Sequence, residues 1–404
     1  MNYPNKIPKH WQVKKLGEIC EILDNKRKPI NSSEREMRLN LSTQRFPYFG
    51  ATGRVGFIDD YIFDFEAILL GEDGAPFLDF FKKKAYIVSG KYWVNNHAHI
   101  LKAINGISTN HFVCYFLNSI NYAPYVSGTT RLKLNQESMK NIEILLPPLD
   151  EQNLIVKNIE SCFKKIDFAI SNFKKSKELI EIYKQSVLSH AFNGKLTNSN
   201  LNSWQVKKLG EIFNIVRGGS PRPIKSFLTD DENGVNWIKI GDVGVGSKYI
   251  TQTKQKIHKD GLRQSREIKI GDLLLTNSMS YGRPYISKIN GAIHDGWLVF
   301  QPKFEISKDY VFYFFTNSQT YKKLSNLAVG STVKNLQINF LEKFEIPLPP
   351  LSEQNLIVPQ IEKRFKAADN ALNLIEQNLK KAEILKQSIL SKAFNGKLVK
   401  DKNE

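Results

Sequence analysis

The sequence predicts an α+β protein in which two mixed α/β modules alternate with two long helices that pair as an antiparallel coiled coil. Three observations support this fold class: an internal repeat, two long stretches with helical periodicity, and short strand-like runs within each module. The predicted modules are residues 1–149 and 197–351. The predicted helical segments are 150–196 and 352–404, the last with a C-terminal tail.

The internal repeat consists of three motifs that occur once in each half of the 404-residue chain. They are WQVKKLGEI at 11–19 and 204–212, PPL-x-EQNLIV at 147–156 and 349–358, and AFNGKL at 191–196 and 393–398. Two copies are too few for a solenoid, whose continuous core needs several stacked repeats. The repeat therefore indicates two similar modules related by a pseudo-two-fold axis.

Each long helix should begin just after a pair of prolines. Asp150 and Ser352 are good N-caps, and the glutamate that follows each of them suits the positive end of a helix. Residues 151–192 contain no Gly or Pro and would form about 63 Å of helix, which Gly194 can terminate.

Apolar residues in both helical segments recur at alternating steps of four and three, the spacing of a coiled-coil seam. The predicted inter-helix seam residues are Ile155, Ile159, Ile166, Phe173, Ile180, Val187, Ile357, Ile361, Ile375, Leu385 and Ile389. Polar Ser176 and Asn378 could fix the register, although tolerated polar residues on a partly exposed helix are an equal alternative. Pro359 removes a backbone donor and should kink or delay the second helix.

The short connection between the first helix and the second module argues for an antiparallel pair. Residues 197–203 span at most about 25 Å, and a module of about 150 residues is only about 40 Å across. The second helix should therefore begin near the end of the first. A parallel pair would require every link to be stretched.

The modules have the pattern of short strands separated by turns. Residues 46–63 (FPYFGATGRVGFIDDYIF) and 271–289 (GDLLLTNSMSYGRPYISKI) combine β-branched or aromatic residues with Gly, Asn and Asp. We therefore expect a mixed α/β fold for each module.

Composition favours a nucleic-acid partner. Lys and Arg number 58 against 40 Asp and Glu, a net charge of +18, and a field of that sign attracts polyanions. A basic protein that merely stays soluble is the plain alternative, and an anionic membrane surface is a weaker one, because no long apolar span occurs. Three widely separated cysteines, Cys20, Cys114 and Cys162, are typical of reduced thiols in a cytoplasmic protein.

Sequence motifs for catalysis are missing. Residues 194–196 (GKL) lack the leading glycine and the Ser or Thr of a phosphate-binding loop, and residues 241–246 (GDVGVG) have the wrong glycine order for a dinucleotide fingerprint. His97, His99 and His111 resemble metal ligands, but no carboxylate or cysteine is suitably spaced, so we expect structural histidines and no metal.

Basic and polar residues in the predicted loops are suited to binding DNA. Arg can form two hydrogen bonds with a guanine edge and Asn with an adenine edge, while amides at glycine-rich turns can hold phosphates. Solvated surface explains any one of these residues equally well, but as a set they favour DNA. The candidates are Arg27, Lys28, Arg54, Arg131 and Lys133 in the first module and Arg217, Arg222, Asn277, Arg283 and Lys334 in the second.

Together these motifs resemble a known family. They are the Trp11 and Trp204 segments with LGEI, the GTT-R-x-KL and GST-V-x-NL stretches from Gly128 and Gly330, the PPL-x-EQ helix starts, and the KQS-x-LS-x-AFNGKL helix ends. Over its whole length the chain is similar to the specificity subunit of type I restriction-modification systems.

The resemblance implies two target-recognition domains separated by an antiparallel helix pair, each reading one half of an interrupted site in double-stranded DNA. It implies no catalytic residue and no cofactor in this chain. Two modification subunits would bind S-adenosylmethionine and methylate adenine, and two restriction subunits would use ATP and Mg²⁺ to translocate and cut DNA. The helices and their flanks would dock the modification subunits, and no membrane is involved.

Two other functions stay open from the sequence. One is a self-contained nuclease or methyltransferase with a divergent active site, which would act on DNA alone with Mg²⁺, ATP or S-adenosylmethionine. The other is a structural coiled-coil adaptor indifferent to DNA, which would show no salt-dependent DNA binding.

Overall fold

The computed structural model describes residues 8–198, 200–244, 246–278, 281–329 and 335–398. The chain forms two compact units. Unit 1 combines the chain up to Lys174 with the chain from Ile375 onward, and unit 2 comprises Lys175–Leu374. Each unit therefore contains one module together with parts of both long helices.

Unit 1 contains, in chain order, β1 (Gln12–Lys15), α1 (Leu16–Ile19), β2 (Cys20–Ile22), α2 (Ser32–Leu41), β3 (Phe46–Gly50), β4 (Gly53–Ile58), β5 (Phe63–Asp64), β6 (Ala67–Gly71), β7 (Ala85–Val88), β8 (Lys91–Val94), β9 (Ala98–Ala103), α3 (Asn110–Leu117), α4 (Gln136–Lys140), β10 (Glu143–Leu146) and the first part of α5 (Leu149–Ala191). One sheet has the order β2-β9-β6-β7 and is antiparallel throughout. The other has the order β4-β3-β8-β5, with β3 and β8 parallel. β1 pairs with β10 and so joins the two ends of the module.

Unit 2 contains the rest of α5 and then β11 (Gln205–Lys208), α6 (Leu209–Ile212), β12 (Phe213–Arg217), β13 (Leu228–Thr229), β14 (Val235–Ile238), β15 (Tyr249–Ile250), β16 (Gln255–Ile257), β17 (Arg266–Ile268), β18 (Leu273–Thr276), β19 (Pro284–Ser287), β20 (Gly291–Ile293), β21 (Trp297–Pro302), α7 (Lys308–Thr316), α8 (Ser318–Leu327), β22 (Ala328–Val329), β23 (Asn335–Leu336), α9 (Ile338–Leu341), β24 (Glu345–Leu348) and the first part of α10 (Leu351–Phe394). Its sheets have the orders β12-β21-β18-β19-β15 and β13-β16-β14-β20-β17. β11 pairs with β24 as β1 does with β10. The prediction of two mixed α/β modules is confirmed.

The central strands of both modules are apolar because both of their faces are covered. β6 (AILLG) and β18 (LLLT) are buried at every position. In each unit the apolar face of α3 or α7 and the first turns of a long helix belong to the same core as the sheet that contains β6 or β18.

Helix α5 begins two residues before the predicted start. The Pro148 carbonyl accepts a helical hydrogen bond from the Gln152 amide at 3.0 Å, and Asp150 lies in the first turn rather than at the N-cap. The Gln152 side chain also donates to the Pro147 carbonyl at 2.9 Å. Helix α5 therefore begins at the residue that follows the proline pair, and α10 begins in the same way.

Helix α10 continues through Pro359. The predicted delay of this helix is therefore wrong. The proline costs one backbone hydrogen bond, but its neighbours Ile357 and Val358 are buried in the core of unit 2 and hold the helix in place.

Within each unit the two long helices pack side by side in antiparallel directions. In unit 1 the Lys386 ammonium pairs with Asp167, and in unit 2 Lys184 pairs with Asp369. The first part of α5 thus lies against the last part of α10, and the last part of α5 lies against the first part of α10. The antiparallel pairing expected from the short connection is confirmed.

Ten of the predicted seam residues are buried or half-buried. Those buried are Ile155, Ile159, Ile166, Val187, Ile357, Ile361, Ile375 and Ile389, and those half-buried are Phe173 and Ile180.

The exception is Leu385, which is 50% exposed. Its prediction as a seam residue is wrong, because the next residue, Lys386, takes that position. The Lys386 stem brings its ammonium 5.1 Å from the Phe163 ring centroid and onto Asp167. A long side chain that covers an aromatic ring and ends in an ion pair can fill a seam position as an apolar residue does.

The C-terminal end of each long helix packs against an aromatic helix of its unit. Phe192, just after α5, contacts two rings of α7 at centroid distances of 5.2 and 5.4 Å. Phe394, at the end of α10, contacts two rings of α3 at 5.3 and 5.5 Å. The AFNGKL motif of the first half therefore belongs structurally to the second module, and that of the second half to the first module.

Candidate nucleic-acid interface

Three of the predicted DNA-binding residues in unit 1 converge on an acidic pair, Glu72 and Asp73, just after β6. Arg27 Nη1 lies 2.7 Å from Glu72 Oε2. Lys133 Nζ lies 3.2 Å from Glu72 Oε1, and Arg131 Nη2 lies 2.5 Å from Asp73 Oδ1. The Arg27 side chain is only 15% exposed and is a structural residue, whereas Arg131 and Lys133 keep exposed charges that the acids partly offset.

The buried His99 side chain forms a hydrogen bond with Asp24 close to this acidic pair. His99 Nδ1 lies 2.6 Å from Asp24 Oδ2, and its Nε2 lies 2.8 Å from the Leu134 carbonyl oxygen. Burial acts to raise the pKa of the Asp24 carboxyl, but the hydrogen bonds and charges of its neighbours, His99 foremost, lower that pKa below its ordinary value. The expectation that the histidines are structural is consistent with this geometry.

Asp24, Glu72 and His99 also form a group of potential metal ligands within the described part of the chain, with ligand atoms within 4.8 Å of one another. The spacing of residues along the sequence did not indicate this group, because its two acids come from segments distant from His99. Arg27 lies in the same group, 3.7 Å from Asp24 and 2.7 Å from Glu72. A guanidinium between the two acids favours a network of ion pairs over a metal site.

Exposed cations in unit 1 lie instead over the sheet that contains β3 and β8. Lys28 and Arg54 are exposed, and the Lys28 carbonyl accepts a 3.0 Å hydrogen bond from Trp93 Nε1. Two arginines that the sequence reasoning missed join them from α2. Arg35 lies 4.8 Å over the Tyr48 ring and Arg38 lies 5.1 Å over the Trp93 ring.

Helix α2 has no buried residue, so its arginines attach it to the sheet through their contacts with aromatic rings. Their i, i+3 spacing, which places both on one face of the helix, is the signal in the sequence that could have identified them. We name Lys28, Arg35 and Arg54 the first basic surface.

Unit 2 has a basic cleft of about 890 Å³ beside β14. Its charged lining consists of Arg222, Lys225, Lys239, His294 and Asp295. No ion-pair partner of Arg222 or Lys225 lies among the described residues, and both side chains are exposed. We name this feature the second basic cleft; sequence reasoning identified Arg222 but missed Lys225, Lys239 and His294.

Burial and the neighbouring charges of the second basic cleft shift the pKa of the His294 imidazole. Burial lowers its pKa below the ordinary value, and the charges of Lys239 and Arg217 act in the same direction, whereas Asp295 opposes them. Arg217 Nε also donates to the Asp295 carbonyl oxygen at 2.9 Å. The cleft therefore carries positive charge that a phosphate could neutralise, which would raise the pKa of His294.

The remaining predicted residues of unit 2 lie elsewhere. Asn277 is 1% exposed, so its prediction as a surface loop residue is wrong: it directly follows the buried strand β18. Arg283 is half-buried and hydrogen-bonds Tyr285. Lys334 lies outside the described residues.

The two basic features occupy equivalent places in the repeat. Lys28 follows β2 in the segment Lys-Pro-Ile, and Arg222 follows β12 in the segment Arg-Pro-Ile. The isoleucine of the first segment packs with Tyr48 on β3, and that of the second packs with Trp237 on β14. Each module thus presents a cation at an equivalent position over its own copy of this sheet.

In the described parts of the chain, no helix combines the length and the apolar character needed to cross a bilayer.

Comparison with known proteins identifies the family. The family model described as "Type I restriction modification DNA specificity domain" matches residues 8–180 and 202–385. The Haemophilus influenzae protein S.HindORF215P is 26% identical over 389 residues, 94% of each chain. The type I restriction enzyme EcoDI specificity subunit of Escherichia coli is 24% identical over 423 residues, 97% of this chain and 90% of that one.

A solved chain shows the same fold. It comes from a structural study of complex assembly and conformational transition of the type I R-M system, and it matches with a TM-score of 0.73 at 18% identity, covering 98% of this chain and 100% of that chain. The two matches of the family model fall on the two repeated modules and together cover most of the sequence. The chain therefore belongs to the type I restriction-modification DNA specificity family.

Proposed function

We propose that this chain recognises a bipartite site in double-stranded DNA, with one module reading each half-site. The observation that carries the proposal is the recurrence of exposed cations at the same place in both modules, Lys28 and Arg222. A protein that reads two separated half-sites needs two such surfaces, and the repeat supplies them.

The first basic surface and the second basic cleft have the chemistry for the two kinds of DNA contact. Arginine side chains such as Arg35 and Arg54 can bond a guanine edge through two hydrogen bonds. Lys28, Arg222 and Lys225 can pair with phosphates, which fix position without reading sequence. Arg131 and Lys133 are further candidates, although a phosphate would have to compete with the ion pairs that they form with Asp73 and Glu72.

The chemistry of restriction and modification is assigned to other polypeptides. Two modification subunits with S-adenosylmethionine and two restriction subunits with ATP and Mg²⁺ would assemble on this chain in the cytoplasm, and this chain would itself have no catalytic role. The absence of catalytic motifs from the sequence and the description of the matched family support this division of labour.

A module exchange tests the proposal. Residues 20–145 are replaced by the corresponding segment of another family member, and methylated adenines are mapped genome-wide with the partner subunits present. One half of the recognised sequence should change while the other half and the spacing persist. A change in both halves, or in neither, would contradict the assignment of one module to each half-site.

The alternative function, a self-contained nuclease or methyltransferase, is tested with the purified chain. It is incubated with duplex DNA and Mg²⁺, ATP or S-adenosylmethionine. We expect neither cutting nor methyl transfer, and either activity that co-purifies with this chain through several steps would refute the division of labour.

A further inference from the structure

The sheet of unit 2 with the order β12-β21-β18-β19-β15 has a strand that its counterpart in unit 1, β2-β9-β6-β7, lacks. In unit 2 one row of paired residues crosses the whole sheet, running Ile215, Phe300, Leu273, Ile286, Tyr249. In unit 1 the corresponding row runs Ile22, Leu101, Ile68, Ile87. The row in unit 1 therefore ends at β7, where unit 2 continues into the parallel strand β15.

Strand β15 is held in unit 2 by its backbone and by one lysine. The Ile286 amide donates to the Lys248 carbonyl oxygen at 2.9 Å. Lys248 Nζ lies 2.7 Å from Glu362 and 2.6 Å from Asp309, and 4.8 Å from the centroid of the Tyr313 ring. Its side chain is only 16% exposed, so the ammonium is bound between two acids and an aromatic ring.

Two of the three groups that bind Lys248, the helix glutamate and the tyrosine, recur in unit 1, where His111 stands at the position of Asp309. Glu160 stands 202 positions before Glu362, at the same point of the other long helix. Tyr115 occupies the place of Tyr313: its ring meets Phe163 edge-on at 5.8 Å, as Tyr313 meets the equivalent phenylalanine of α10 at 5.8 Å. Burial raises the pKa of Tyr115 to about 12, and the nearby Glu160 carboxylate acts in the same direction.

No described segment covers these groups in unit 1. A cleft of about 910 Å³ lies there, and its lining includes Ile87, Tyr115, Glu160 and Phe163. No ion-pair partner of Glu160 is found among the described residues. The surface formed by Tyr115 and Glu160 is therefore open in unit 1, whereas Lys248 covers the equivalent surface in unit 2.

The backbone of β7 is free to accept a strand beyond its first residue. The Asn118 side chain caps the start of the edge, accepting from the Lys84 and Ala85 amides at 2.8 and 3.2 Å and donating to the Ala85 carbonyl at 2.8 Å. By the alternation of an antiparallel ladder, the amide and carbonyl of Ile87 point away from β6. Within the described chain no strand pairs with that side of β7.

We propose that the cleft beside β7 binds an extended segment of a partner polypeptide, which adds to the sheet parallel to β7 and places a lysine against Tyr115 and Glu160. β15 is the template for this segment: a lysine, then an aromatic residue, then a β-branched aliphatic residue. Addition of a strand to an exposed sheet edge is a general mode of peptide recognition, in which backbone hydrogen bonds give affinity and side-chain pockets give specificity.

A nucleic acid fits this cleft less well than a polypeptide. The lining carries five lysines and three acids; Asp167 is paired with Lys386, and the carboxylates of Glu160 and Glu383 would repel a bound phosphate. A second copy of this chain is also a poorer occupant through β15, because β15 is already paired within unit 2.

The test uses the full chain and a labelled peptide with the sequence of residues 246–253, GSKYITQT. Fluorescence anisotropy should show saturable binding, and the Ile87 amide should gain protection from hydrogen exchange when the peptide is bound. A peptide with glutamate in place of its lysine should bind about tenfold more weakly, because like charges then meet at Glu160. The charge-reversed chain, Glu160→Lys, should show the same loss with the original peptide.

The combination of both charge reversals should restore binding. The matched control is Glu178→Lys, an exposed glutamate of α5 outside the cleft, which should leave binding unchanged, and unfolding curves establish that each variant is folded. No binding at about 1 mM peptide, equal binding of the two peptides, or no added protection at Ile87 would overturn the proposal. DNA binding is not a readout here, so these outcomes do not depend on the proposed DNA-recognition function.

Discussion

Replacing Arg222 and Lys225 together by alanine should remove two phosphate contacts and so make the affinity for DNA less dependent on salt concentration. Both side chains are exposed in the second basic cleft, and neither has an ion-pair partner among the described residues. Their charge is therefore available to phosphates in full, unlike that of Arg27, which Glu72 neutralises.

The expected magnitude follows from counterion release. Each phosphate contact contributes about 0.9 to the slope of log K against log salt, so the double variant should have a slope less steep by about 1.8. Over a fourfold rise in salt, from about 50 to about 200 mM, the ratio of the wild-type affinity to the variant affinity should fall by about twelvefold.

Fluorescence anisotropy with a labelled duplex of about three helical turns measures the slope for the full chain. The matched control is the double variant Lys380→Ala and Lys381→Ala, which removes two exposed lysines of α10 and lowers the net charge equally. A cleft variant that keeps the wild-type slope, or a control that loses as much slope, would refute the reasoning.

Two further predictions follow from His294 and from the end of α10. Lowering the pH from about 8 to about 6 should tighten DNA binding, because burial, Lys239 and Arg217 lower the pKa of His294 in the free protein and a phosphate would raise it, so binding takes up a proton. His294→Gln should flatten this profile, and an unchanged profile would contradict the assignment. In the absence of DNA the sign is opposite: His294 contributes stability above its unfolded pKa of about 6.5, and that stability is lost as the pH falls. Phe394→Ala should lower the free energy of unfolding by about 3–5 kcal/mol in urea titrations, because a ring that is 6% exposed leaves a cavity against α3. Leu385→Ala on the same helix is the matched control and should cost about 0.5 kcal/mol; equal costs would show that Phe394 is not part of the core.

The sequence identified the features that depend on local pattern. The two proline pairs, the long stretches without Gly or Pro and the steps of four and three predict α5, α10 and most of their seam, because helix formation and helix pairing depend on residues that are close along the chain. The duplicated motifs predict two modules of the same fold for the same reason. The seam prediction is wrong at Leu385, because Lys386 occupies that seam position instead. Lys386 fits there only because Phe163 and Asp167 of the other helix contact it.

Only the tertiary structure decided which charges are available to a ligand. Arg27 and Lys28 are neighbours in sequence, yet Glu72, 45 residues further on, neutralises one of them and leaves the other exposed. The edge of β7 is open because its module lacks the strand that Lys248 anchors in the other module. Charge pairing and strand pairing depend on groups that are distant along the chain and meet only after folding, so no local pattern in the sequence specifies them.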